Sequence, residues 1–186
     1  MTNTSAWGPL AALIGEWEGG EGVDVAFANV AGRIVETPFR ERITMEPFGP
    51  VDNGSQKLWG LDYRMAAWRM NEENAFHTEV GYWLWDADAG HVLRCFMVPR
   101  GTTLIAGGTA SPTATSFSLE ANLGSETYGI LSNLYLAAKA RTTKYTCSVS
   151  IGDGSFSYES CTTYVHHRGG EVAHTDRNTL RRVPAK

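Results

Sequence analysis

The chain has 186 residues, 42% of them hydrophobic and 19% charged, which fits one globular domain with a sizeable core and excludes a disordered chain. The formal net charge is −4 and no Lys/Arg-rich run occurs, so the electrostatic footprint of a nucleic-acid binder is absent. No apolar run approaches the ~18 residues of a transmembrane helix, and a polar Met1–Ser5 with no apolar h-region behind it argues against a secretory signal.

Near the start, Trp7 to Ile14 reads as a short helix over about residues 9–14. Pro9 suits a first helical position and Gly15 suits the stop. So short a helix needs something to pack on, and a lid over one end of a barrel would serve. From Trp17 the pattern changes to period two, with Gly19, Gly20 and Gly22 marking a bend or bulge. Val23 to Val30 and Arg33 to Pro47 are strands around a turn at Ala31-Gly32. In the second, Ile43 and Met45 face one way, Arg42 and Thr44 the other. Pro47 to Ser55 is a loop.

Gln56 to Arg69 alternates clearly, with Trp59, Leu61, Tyr63, Met65 and Ala67 on one face. Ala75 to Trp85 carries Phe76, Val80, Tyr82 and Leu84 on one face and His77, Glu79, Trp83 and Trp85 on the other. Val92 to Val98, Thr102 to Gly107 and Ser116 to Ala121 continue the series. Ser132 to Ala140 reads as strand or helix. Thr142 to Ile151 and Ser155 to Val165 flank the hairpin signal Gly152-Asp-Gly154. Gly169-Gly170 breaks the chain, and a terminal strand runs from Asn178 to Val183, with His174 at its mouth.

About ten short strands joined by tight turns exclude βαβ units. Several carry polar residues on both faces, which a sandwich core tolerates poorly and a barrel with an internal cavity tolerates well. The expected fold is all-β: a single domain, a closed antiparallel up-and-down barrel of about ten strands, with a short N-terminal helix. The strand near Trp17 would pair the strand near Leu180 to close the wall. Cys95, Cys147 and Cys161 are odd in number and lack metal-type spacing, so they read as buried thiols in a reducing, cytoplasmic compartment.

Gly107-Gly108 lacks the Lys-Ser/Thr of a phosphate loop, and neither a Gly-x-Ser-x-Gly elbow nor an HExxH site occurs. Tyr63, Met65 and Trp59 read first as core and second as cavity lining. His77 and Glu79 lie two residues apart on one strand face. They read either as a polar or acid/base pair in a cavity or as an outer-face pair beside Trp83 and Trp85, and the outer face is the expectation. His166 and His167 read as a solvent-exposed pair, and His91 as a surface hairpin residue.

Three motifs carry a family resemblance: Gly15-Glu-Trp-Glu-Gly19, His77-Thr-Glu-Val-Gly-Tyr-Trp83 and Leu180-Arg-Arg-Val183. In order and spacing they resemble the nitrobindin-like haem-binding β-barrels over nearly the whole chain. The resemblance implies haem b held by one histidine, binding of nitric oxide, and isomerisation of peroxynitrite to nitrate. Counting back from Leu180, the family's haem histidine falls on Thr175; His174 stands one residue earlier, and a one-residue loop adjustment would restore it. His174 is thus the candidate iron ligand, its other ring nitrogen needing an acceptor. Otherwise it is a turn residue in Ala-His-Thr-Asp, with Asp176 starting an Asx turn. Arg181 and Arg182 alternate, so one faces inward, to pair a haem propionate or a ligand carboxylate or to cap the wall. The alternative function is a haem-free carrier or sensor of a small hydrophobic ligand such as a fatty acid. No nucleic-acid or membrane partner is expected, and a homodimer is allowed.

Overall fold

The computed structural model describes residues 4–167 and 170–184. A 3-10 segment, Thr4–Leu13, precedes the strands β1 (Gly15–Ala28), β2 (Arg33–Asp52), β3 (Lys57–Arg69), β4 (His77–Asp86), β5 (His91–Val98), β6 (Thr102–Thr109), β7 (Ser116–Leu123) and β8 (Gly129–Ser132). A short helix, α1 (Leu134–Lys139), then leads to β9 (Ala140–Gly152), β10 (Ser155–His166) and β11 (Glu171–Arg182). These eleven strands form one closed barrel in the order β1-β11-β10-β9-β7-β8-β6-β5-β4-β3-β2. All ladders are antiparallel except the short β7–β8 pairing at Asn122–Gly129 and Leu123–Ile130. Closure follows the expected seam, Trp17 pairing Arg182. Among the described residues no helix is long and apolar enough to cross a membrane.

The N-terminal element is 3-10, not α-helical, and is kinked at Gly8, whose φ of 53° L side chains rarely adopt. A Cβ on Gly8 would also stand 2.5 Å from the Trp85 ring. The segment plugs one end of the barrel. Trp7 Nε1 donates to the Gly60 carbonyl at 2.9 Å, Trp17 Nε1 to Leu13 at 2.8 Å, and Leu10 and Leu13 are fully buried. Trp17 meets Phe156 edge-on at 4.9 Å, an arrangement the ring quadrupoles favour.

The ambiguous stretch 132–140 resolves as α1, whose N-cap Asn133 accepts from Leu136 N at 2.9 Å. It sits at the opposite, open end. The double glycine expected to break the chain is only partly described, Gly169 lying outside the described residues.

Alternation carries the interior. Phe39, Glu41, Ile43 and Met45 of β2, and Leu61, Tyr63, Met65 and Ala67 of β3, point inward as the period-two pattern requires. β1 breaks the rule. Its register slips by one residue, between Gly19 and Gly22 against β2 and between Glu18 and Val23 against β11, a β-bulge that moves the inward set from Trp17 to Asp24. Without the slip, Asp24 would face solvent.

Candidate functional site

β11 begins at Glu171, seven residues before the expected terminal strand, so His174 lies within it and not in a turn. Its register with β10 runs without a shift from Ser155–Arg181 to Val165–Glu171. Residues 174, 176, 178 and 180 therefore share the inner face. His174 is already in phase with the interior, and no loop adjustment is needed. A histidine at Thr175 would project through the other face.

His174 Nε2 lies 2.5 Å from Asp24 Oδ1 on β1 and 3.4 Å from Asp176 Oδ2 on its own strand. Burial alone would lower its pKa, but the bonds and charges of Asp176 and Asp24 outweigh burial and raise it to about 10. At neutral pH the ring is an imidazolium held by two carboxylates.

This ring lines a cavity of about 760 Å³ at the open end, within the roughly 300–1,000 Å³ usual for ligand sites. His77 and Glu79 also face inward, which corrects the outer-face expectation: Val80 and Tyr82 are the exposed side of β4. His77 Nε2 meets Glu79 Oε1 at 3.2 Å, and this couple raises the His77 pKa against the lowering effect of burial. Arg100 and Lys139 stand exposed at the mouth.

Beneath the cavity lies a layer of buried polar groups. Arg94 Nη2 donates to Glu79 Oε2 at 2.6 Å and to the Tyr63 hydroxyl at 2.8 Å, and Nη1 donates to the Tyr145 hydroxyl. Tyr63 donates to Glu79 Oε2 at 2.8 Å. Burial would push the Glu79 carboxyl up, but Arg94, His77 and Tyr63 prevail and hold it at about 2. Beside this network, Glu41 Oε2 accepts from Tyr158 Oη and Asn178 Nδ2, each at 3.0 Å.

Of the expected binding residues, only His174 lines the main cavity. Tyr63 belongs to the polar layer beneath it, and Met65 lines a small hollow shared with His174 and His77. Arg181 and Arg182 stand at the closed end, which corrects their placement at the opening. Arg182 takes the inward phase, donates to the carbonyls of Ala12, at 2.7 Å, and Ile14, and lies 4.2 Å above the Trp17 ring. It pins the plug. The reason is strand direction: β11 runs from the open end towards the plug. His166 is buried, not exposed, with Nε2 3.2 Å from Asn29 Oδ1, and lines the cavity. His167 is exposed as expected. His91 is half-buried, its Nδ1 2.6 Å from the Tyr128 hydroxyl.

Sequence reasoning passed over Asp24, Glu41, Arg94 and Asn178. The signal for Asp24 was the glycine cluster 19–22, which marked a bulge. Gly19 is required there because a Cβ would stand 2.8 Å from Asn178 Nδ2 and from the Thr179 carbonyl oxygen.

A closed barrel with an inward histidine at a deep, one-ended cavity defines a ligand-binding β-barrel. Residues 6–182 match the model of the THAP4-like, heme-binding beta-barrel domain, and the chain belongs to that family. The crystal structure of Rv2717c from M. tuberculosis has the same fold, with a TM-score of 0.70 and 21% identity over 96% of this chain and 98% of that one. An S-type phycobiliprotein lyase, CPES from Guillardia theta, is a remote likeness at a TM-score of 0.46 and 11% identity, over 94% and 90% of the two chains. No curated protein sequence matches the chain.

Proposed function

We propose that this barrel binds haem b in the open-end cavity, with His174 as the iron ligand and nitric oxide as the small molecule it takes up. The observation that carries the reading is the environment of His174: an imidazole on the cavity wall with a carboxylate on one ring nitrogen. A metal-ligating histidine commonly hands its other N–H to such a carboxylate, and Asp24 supplies it. The donor set and the cavity therefore fit the group. Arg100 and Lys139, at the mouth, would pair the propionates, the role first given to Arg181 and Arg182. His77 and Thr142 would meet a small molecule from the other walls.

When bound, the iron supplies an open coordination position and Lewis acidity, which suit nitric oxide binding and isomerisation of peroxynitrite to nitrate. The protein's part is proton and water control. His174 must give up its proton to ligate, so affinity should rise about tenfold per pH unit above neutrality, levelling near the ring's pKa. Asp24 keeps the ring oriented, and the plugged end leaves the mouth as the entry. A fatty carboxylate is served less well. Among the described residues the interior cations are committed, Arg94 to Glu79 and the His174 imidazolium to Asp24 and Asp176, which leaves such a carboxylate the rim cations Arg100 and Lys139.

Haem titration of the full chain tests this. A Soret band should appear, be lost or shifted in His174→Ala, and persist in His166→Ala and His91→Ala. A wild type that titrates without a band overturns it.

A further inference from the structure

Asp24 and Asp176 are direct cross-strand partners on β1 and β11, and both face inward. Like charges directly opposite in a ladder repel. Between them stands a single ring nitrogen. His174 Nε2 carries at most one hydrogen, yet two carboxylate oxygens converge on it, at 2.5 Å and 3.4 Å. The three donor atoms all lie within 4.8 Å of one another. One proton cannot bridge three such atoms, whereas one small cation can.

The surroundings leave room for it. A hollow of about 50 Å³ abuts the cluster and is lined by Asp24, His174 and Asp176 together with His77 and Glu79. That exceeds the roughly 10–15 Å³ one water requires, so an ion could keep water in its remaining positions. The cluster is also held on rigid strands. His174 and Asp176 are two apart on one face, and Asp24 is brought inward by the β1 bulge.

We propose that Asp24, His174 and Asp176 form a binding site for a divalent transition-metal ion in the haem-free barrel. One imidazole with two carboxylates is a mixed N/O donor set, which suits zinc or manganese better than the all-oxygen preference of calcium or magnesium. Charge balances well: two carboxylates and a neutral imidazole against a 2+ ion. Any proton on the ring nitrogen leaves to solvent as the ion binds. This goes beyond the haem reading and does not rest on it. The ion takes Nε2 and Asp24, the contact that would orient the ring for haem at its other nitrogen, so the two ligands would compete.

The test uses the full chain, freed of metal by chelator, titrated with Co²⁺ in visible absorption and with Zn²⁺ by calorimetry. One Co²⁺ per chain is expected, displaced by Zn²⁺. Asp176→Asn and His174→Gln should each weaken binding at least about tenfold, while His91→Ala leaves it unchanged. Circular dichroism checks that each variant folds, and Asp176→Asn should fold well because it relieves the carboxylate pair. No binding, or equal binding in Asp176→Asn and wild type, overturns the inference. Haem titration separates the two readings. Cobalt binding without a Soret band refutes the haem reading alone, and a Soret band without cobalt binding refutes this one alone.

Discussion

The stability of Glu41→Gln relative to wild type should rise markedly as pH climbs from 4.5 to above neutrality. Glu41 sits on the inner face of β2 at 3% exposure. Its Oε2 has two donors, but its Oε1 has no partner among the described residues. Burial, only partly offset by the bonds from Asn178 and Tyr158, raises its pKa from 4.5 to about 7. Between those values the folded chain holds a proton that the unfolded chain has lost. Stability is therefore fully present below 4.5 and falls as pH rises to about 7. At about 1.4 kcal/mol per pH unit, the loss reaches about 3 kcal/mol at pH 8. Glutamine keeps the shape and the acceptor oxygen but cannot ionise. The difference between variant and wild type should grow by about 3 kcal/mol from pH 4.5 to 8, or about 6–12 °C in Tm for a chain of this size. A constant offset, from the amide N–H that the site leaves unpaired, carries no information about titration. Glu79 does not confuse the window. Its pKa is held at about 2, so its contribution is lost only as pH falls below 4.5. Urea unfolding at pH 4.5, 6 and 8 measures the effect, and a difference that stays flat across these pH values refutes the reasoning.

Three further outcomes separate the polar layer and the plug from the cavity. Arg94→Met leaves Glu79 buried without its cation, 2.6 Å away in the wild type, and should cost about 3–5 kcal/mol in urea unfolding; a loss under about 1 kcal/mol would show that the pair is not what holds this layer. Arg182→Ala removes two carbonyl hydrogen bonds and the stack on Trp17, and should cost about 1–3 kcal/mol of stability with no change in haem affinity. Arg100→Ala should do the reverse, weakening haem binding about five- to 150-fold at unchanged Tm if its guanidinium meets a propionate.

Much of the wall was legible because period-two alternation is a one-residue rule. Trp59 to Ala67 face as read, Ile43 and Met45 oppose Arg42 and Thr44, and Trp17 meets the last strand. The site was less legible because it depends on which way that rule is phased. β4 carries large apolar residues on both faces, Tyr82 and Leu84 against Trp83 and Trp85. Sequence alone does not orient it, and His77 with Glu79 went to the wrong side. Glu41 and Arg94 stand among residues that look like ordinary wall, and only closure of the barrel brings their partners across. The placement of Arg182 could have been found. The strand near Leu180 was expected to pair the strand near Trp17, and the lid lies immediately before Trp17, so the two Arg residues had to stand beside the lid.

The layering explains why the cavity is at one end only. Apolar and aromatic side chains fill the plugged end, from Leu13 and Trp17 to Phe156 and Leu180. Above them the Arg94–Glu79–Tyr63–Tyr145 network and the Glu41–Tyr158–Asn178 cluster span the interior, and such buried groups keep their positions because each loses heavily if its partner moves. A ligand entering from the mouth thus meets a rigid polar floor and cannot settle by displacing the core. What it can engage is the ring above that floor: His77 from β4, His174 and Asp176 from β11, and Asp24 from β1. Asp24 joins this ring only through the one-residue bulge at Gly19–Gly22. Deleting Gly20 would remove the bulge and leave Asp24 six positions beyond Trp17, in the same inward phase, so Asp24 should stay opposite Asp176 and keep its carboxylate 2.5 Å from His174.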